Sequence, residues 1–228
     1  MPMMKAVIFD LDGTLLDTIE DISDSCNAAL TENGLSGFSV GEYKYFVGNG
    51  VDELIHNVLK AQEADPQHWE KVRSAYLRIY SQNQRNKTHP YPGIVSLLEN
   101  LNRSGIQCNV LSNKPDFDTK AVIRHYFPDI HFVWVLGKRP GYPTKPDPTS
   151  VNEIVRDLGH PSDSILYVGD TYTDMLTAQN ANLPSVGVLW GFRKADELIR
   201  GGAWQLAKRP EEIFAFAKEG IHRADSSR

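Results

Sequence analysis

Short apolar, β-branched runs alternate with amphipathic stretches through most of this 228-residue chain, and that alternation restricts the architectures open to it. The runs fall at residues 6–10, 107–112, 131–136, 164–170 and 184–189. Between most of them, apolar residues recur at helical spacing. Ile94, Leu97, Leu98 and Leu101 make one stripe, and Gly105 supplies a left-handed stop. Asp147-Pro148 opens another, with Ile154, Val155 and Leu158 on its inner face and Gly159 behind them. Strands alternating with helices predict a parallel sheet covered by helices, an α/β fold.

The alternation breaks once. About ninety residues between the first and second runs hold no convincing strand, far more than an ordinary crossover needs. They read as helices. Ile19, Ile22, Cys26, Ala29 and Leu30 form one stripe ending at Asn33-Gly34, and Ser39 with Glu42 makes a capping-box pattern. Val51, Leu54, Ile55, Val58 and Leu59 form a third helix, and Asp65-Pro66 caps a fourth carrying Trp69, Val72, Tyr76, Leu77 and Tyr80. The pattern predicts a helical cap over residues 16–87, inserted into a core of residues 1–15 and 88–228. The return falls within the polar, Pro-containing stretch 85–92, and the two connections can act as a hinge. The alternative is that these helices simply cover one face of the sheet. The polar tail 221–228 is expected to be disordered.

Charge narrows the function classes. Lys and Arg number 24 against 29 Asp and Glu, a net −5 with no basic stripe, which argues against a nucleic-acid binder. No apolar stretch approaches the roughly 18 residues of a membrane span. The first strand starts at once, without a secretory segment. Cys26 and Cys108 lie far apart in apolar patterns, with no metal or redox spacing. A reduced, cytoplasmic protein with no nucleic-acid or membrane partner is expected.

The chemistry begins where the first strand ends, at Val7-Ile8-Phe9-Asp10-Leu11-Asp12-Gly13-Thr14-Leu15. Ligands of open α/β sheets bind just outside the carboxyl ends of the strands. Two carboxylates there have the makings of a metal-assisted site with one nucleophile and one acid/base. Asp and Gly also form plain turns. However, the fixed positions of Asp-x-Asp-Gly-Thr recur by chance in roughly a few per thousand chains this long.

Three further segments sit at strand ends or in a stiff loop. Ser112-Asn113-Lys114-Pro115 offers a hydroxyl and backbone N–H groups at an expected helix start, suited to an oxyanion or phosphate, or to capping alone. Gly169-Asp170-Thr171-Tyr172-Thr173-Asp174 places one carboxylate at a strand tip and another on the first helical turn, hard oxygen ligands for Mg²⁺ or helix caps. The Pro-rich loop 141–148 carries Lys145, which either points at anionic neighbours or is a solvated loop lysine.

In this order, Asp10-x-Asp12-Gly13-Thr14, Ser112-Asn113, Lys145-Pro146 and Gly169-Asp170-x-x-x-Asp174 resemble the haloacid dehalogenase-like hydrolase superfamily over residues 4–218. Val47-Gly48-Asn49-Gly50, Ser112-Asn113-Lys114-Pro115 and Trp190-Gly191 are similar to its bacterial phosphoglycolate phosphatase branch. The resemblance implies a Rossmann-like parallel core with an early-inserted helical cap. It implies Asp10 as nucleophile, forming an aspartyl-phosphate, and Asp12 as general acid and then base. Mg²⁺ is the implied cofactor, held by the Asp10 side chain, the Asp12 backbone carbonyl and Asp170, with Asp174 orienting a metal-bound water. Lys145 would neutralise Asp10, and Ser112 with the Asn113 backbone N–H would hold phosphoryl oxygens.

The cap would read the rest of the substrate. Gly50 allows close backbone approach, and Lys44 is a candidate for a substrate carboxylate, although a solvated surface lysine is its commoner fate. The implied partner is a small phosphorylated metabolite, 2-phosphoglycolate first. A sugar-phosphate, nucleotide or pyrophosphate phosphatase is the alternative. A β-phosphoglucomutase-like phosphotransferase usually has a histidine where Ile22 stands, and the dehalogenase branch typically lacks the second aspartate. From another class, a binding protein on an inactive scaffold is opposed by the intact set Asp10, Asp12, Lys145 and Asp170. The oligomeric state, a homodimer included, is left open.

Overall fold

The computed structural model describes residues 3–223. At its centre is β1 (Ala6–Phe9), flanked by β4 (Gln107–Pro115) and β6 (Ile165–Gly169). The sheet continues outward through β5 (Phe132–Lys138) on one side and β7 (Ser185–Val188) and β8 (Gln205–Ala207) on the other. The order is β5-β4-β1-β6-β7-β8, and every pairing is parallel.

Burial on both faces explains the unbroken apolar runs. In β1, Val7 and Phe9 enter one cluster while Ala6 and Ile8 enter the other. The first cluster is closed by α5 (Ile94–Arg103), α6 (Asp116–Tyr126) and α10 (Pro210–Glu219), through Leu97, Leu101, Val122 and Ile213. The second is closed by α7 (Thr149–Leu158) and α8 (Tyr172–Asn180), through Val151, Ile154 and Ala178. The short α9 (Ala195–Arg200) buries Leu198 beside β7. The β8 strand had no sequence signature: it is three residues long, and two of them are only half-buried.

A two-stranded ribbon leaves this core. In it β2 (Leu16–Asp17) pairs antiparallel with β3 (His89–Pro90). Between these strands run α1 (Ile19–Glu32), α2 (Val40–Phe46), α3 (Val51–Ala61) and α4 (Trp69–Asn83). They pack on a cluster of their own around Cys26, Leu30, Tyr43, Ile55, Val58 and Val72. Among the described residues, only Phe192 joins that cluster from the α/β part. The Ser39–Glu42 capping box is formed. Asp65 caps a 3₁₀ turn, Pro66–His68, that leads into α4 rather than capping α4 itself.

The return of the chain is anchored by Asp21. This buried α1 carboxylate accepts from the Lys87 and Thr88 N–H groups at 3.0 and 2.8 Å and from Thr88 Oγ1 at 2.7 Å. At the C-terminus, Ile221 packs into the core, against the expectation of a disordered tail. Residues 224–228 lie outside the described residues. Cys26 and Cys108 are free and buried. No helix among the described residues is long and apolar enough to cross a membrane.

Candidate active site

The carboxyl ends of β1, β4 and β6 meet where the chain leaves β1 toward opposite edges, the usual ligand position in such sheets. Asp10 follows β1 and stays buried. The turn after it requires Gly13. Its φ is +88°, and a Cβ there would lie 2.3 Å from Asp170 Oδ2. Asp170, at the tip of β6, accepts from the Phe192 N–H at 2.7 Å and from Thr14 Oγ1 at 3.3 Å.

Asp174 takes the helix-cap alternative with one oxygen and turns the other to a lysine. One oxygen completes a capping box with Thr171 at the start of α8, and the other accepts from Lys145 Nζ at 2.7 Å. Lys145 is not a solvated loop lysine. Its ammonium is buried and also donates to Asp10 Oδ1 at 2.6 Å and the Leu111 carbonyl at 3.2 Å. The Asn113 side chain holds the lysine loop. It accepts from the Lys145 N–H at 2.8 Å and donates to the Lys145 carbonyl and to the Gly48 carbonyl, each at 3.2 Å. The Asn113 amide is therefore occupied by backbone, leaving only its main chain for a substrate.

Oxygens of Asp10, Asp170 and Asp174 lie within 4.8 Å of one another, a buried donor set suited to a divalent cation. The electrostatics fit one. Burial first, then the Asp174 charge, pushes the Asp10 carboxyl up to about 7 against the opposing pull of Lys145. Burial, followed by Asp10 and Asp174, holds Asp170 well above the usual carboxylate range. Burial lowers the Lys145 ammonium, but the two aspartates outweigh it and keep it well above an ordinary lysine. Three buried carboxylates face one buried ammonium, so when ionised they leave surplus negative charge that a cation would balance.

The Asp12 carboxylate is not part of this trio. It pairs with Lys114 Nζ at 2.8 Å, and that ammonium also donates to the Tyr80 hydroxyl of α4 at 2.6 Å. Lys114 was missed because its segment was read for its hydroxyl and N–H groups. The Asp-x-Asp spacing gave no signal of it: on strand backbone it would put both carboxylates on one face, but β1 ends at Phe9 and the turn that follows separates them.

Ser112 and Asn113 are displaced from the expected helix start. They lie in the irregular end of β4, which runs to Pro115 before α6 begins at Asp116. Ser112 is neither a helix cap nor distant. Its hydroxyl accepts from the Lys114 N–H at 3.1 Å and faces the cleft.

That cleft encloses about 540 Å³, its open mouth included. Asp10, Asp12, Ser112 and Lys114 form its polar side, and Ile22, Leu54, Tyr76 and Phe192 form its apolar side. Gly50 lines it with φ +88°, and a Cβ there would meet the Asn113 carbonyl at 3.2 Å. Lys44 does not reach it. This lysine is half-buried in the last turn of α2 and is absent from the cleft wall.

The sequence model of the haloacid dehalogenase-like hydrolases matches residues 7–188. The chain belongs to that family. Like the haloacid dehalogenase-like hydrolases it resembles, it is an enzyme, and its relatives are phosphatases. The phosphoglycolate phosphatase of Mesorhizobium japonicum is 31% identical, with 82% of this chain and 83% of that protein aligned. The phosphoglycolate phosphatase of Rhodobacter capsulatus is 34% identical, over 84% of this chain and 87% of that protein. A crystal structure from Lactobacillus delbrueckii subsp. bulgaricus, provisionally assigned as a phosphoglycolate phosphatase, superimposes with a TM-score of 0.90 at 30% identity, covering 95% of this chain and 99% of that one.

Proposed function

We propose that this haloacid dehalogenase-like hydrolase is a Mg²⁺-dependent phosphatase that cleaves a small phosphomonoester, 2-phosphoglycolate, through an aspartyl-phosphate on Asp10. One observation carries the reading. Two carboxylates two residues apart sit in different environments, Asp10 in a cation-ready trio with Lys145 and Asp12 beside its own ammonium on the cleft wall. A cation and Lys145 together would hold Asp10 ionised for attack, while Asp12, outside the trio on the cleft wall, is the carboxyl placed to reach the leaving oxygen. The names of the relatives support the substrate.

Asp10, Asp170 and the Asp12 backbone carbonyl would hold the cation, with Asp174, engaged by Lys145 and Thr171, acting through a water. When bound, the cation offsets charge on the ester and the attacking carboxylate. That repulsion is roughly 4 kcal/mol for unit charges about 4 Å apart at an effective dielectric of about 20. Lys145 reduces it further from its place 2.6 Å from Asp10.

An Asp10 oxygen forms the new bond to phosphorus while the bond to the leaving oxygen breaks, and Asp12 supplies the proton that oxygen needs. Asp12 then takes a proton from the water that opens the acyl phosphate. Ser112 and the Asn113 backbone N–H hold the phosphoryl oxygens. Residues 16–87 act as a cap hinged on the β2–β3 ribbon, closing over the cleft to exclude water. The enzyme works in the cytoplasm on free metabolites. A phosphomutase would need a proton-relaying side chain in the first cap helix, where the cleft is lined by Ile22.

The test is turnover of a phosphate-ester panel by the wild type and by Asp10→Asn. The variant is expected to lose at least about a thousandfold in kcat. Near-wild-type activity would remove Asp10 as nucleophile. A kcat/KM for 2-phosphoglycolate far below those for sugar phosphates or pyrophosphate would overturn the substrate.

A further inference from the structure

The substrate-reading role expected of Lys44 belongs to another lysine. We infer that Lys114 binds a carboxylate on the leaving alcohol and so sets the enzyme's preference for short phosphorylated acids; this rests on the phosphatase reading above. Among the described residues, Lys114 is the only cation lining the cleft. Its side chain is 4% exposed, so its charge is little screened by water. Bonds to Asp12 and Tyr80 use two of its three N–H groups, leaving one for a ligand.

Distance selects the length of the ligand. Lys114 Nζ lies 2.8 Å from Asp12 Oδ1, and Asp12 must itself come within hydrogen-bond reach of the leaving oxygen. The ammonium is then within about 6 Å of that oxygen if Oδ1 makes the contact and within about 8 Å if Oδ2 does. A carboxylate one carbon from the ester oxygen fits this span, its own oxygens lying about 3 Å from the ester oxygen. An anionic group several carbons away would overshoot into the apolar side formed by Ile22, Leu54 and Tyr76. Tyr80 keeps the ammonium in place from α4: its hydroxyl accepts at 2.6 Å, and its ring centroid lies 4.7 Å from Nζ. The inserted helices thus contribute to substrate choice through a residue of the core.

The experiment compares kcat/KM for 2-phosphoglycolate and for ethyl phosphate, in which a methyl replaces the carboxylate, in wild type, Lys114→Gln and Lys114→Arg. The wild type is expected to favour the acid by tenfold or more. Lys114→Gln is expected to lower the acid's kcat/KM by roughly 10- to 100-fold beyond its loss on ethyl phosphate, mainly in KM. Lys114→Arg should restore part of the difference. Equal losses on both esters would mean that Lys114 only positions Asp12, and would overturn the inference. Should Lys114→Gln fail to fold, a wild-type preference below tenfold overturns it equally. Absence of turnover on either ester by the wild type instead defeats the phosphatase reading itself.

Discussion

Replacing Lys145 by Gln removes the ammonium that pairs with two of three buried aspartates, Asp10 and Asp174. The ammonium is 4% exposed, and its two acidic partners are 9% and 1% exposed, so solvent does little to soften the loss. Removing one partner of such a pair costs about 3–5 kcal/mol, because the other charges stay buried without compensation. Protonation can offset part of that cost. The Asp10 carboxyl already sits at about 7 in the folded chain, pushed there by burial and Asp174, against roughly 4 when unfolded. Between those values the folded form binds a proton that the unfolded form lacks. This contribution is full below about pH 4 and is lost as the pH rises through 7. Without the ammonium the folded value moves higher, and the window extends upward.

Lys145→Gln is therefore expected to lose most stability at pH 8 and distinctly less at pH 5. The assay is urea unfolding at both pH values with a chelator present, to keep cations from masking the effect. In parallel, kcat should fall by about a hundredfold or more, since charge on the transferring group is no longer matched. Equal destabilisation at the two pH values, or a larger loss at pH 5, would refute the electrostatic account.

Other outcomes follow from the same geometry. Asp21→Ala should cost at least about 2 kcal/mol, since the carboxylate accepts from three donors. Hydrogen exchange should show the Lys87 and Thr88 amides losing protection; unchanged exchange there would remove Asp21 as the anchor of the ribbon. Gly13→Ala places a methyl 2.3 Å from Asp170 Oδ2 on a left-handed backbone, and Mg²⁺ affinity measured by calorimetry should fall roughly 10- to 100-fold. In wild type, Mg²⁺ must displace the Asp10 proton. Its affinity should fall by at least about tenfold per pH unit below 7, the Asp170 proton adding to the slope. A flat profile from pH 5.5 to 8 would contradict that coupling.

Much of this was legible in the chain itself. Local pattern is enough to find a strand buried on both faces, so β1, β4, β6 and β7 stood out as apolar runs. The stripes of α1, α3 and α5 were equally plain, because one helical face carries the burial. Asp10 and Asp170 were readable because each ends such a strand. Lys145 could not be settled from sequence. A loop lysine has no local signature of burial, and only the end of β1 and the first turn of α8 bring Asp10 and Asp174 to it across 135 and 29 residues. The same holds for Asn113, whose amide serves two distant backbone segments, and for Lys44, which is absent from the cleft wall.

Periodic burial and strand-end carboxylates are written residue by residue, so the α/β order and the strand-end aspartates were determined by sequence alone. The pairing of Asp12 with Lys114 and Tyr80 was decided only in three dimensions. It joins the turn after β1 to β4 and α4 through single side-chain contacts that leave no periodic trace in any one of those segments.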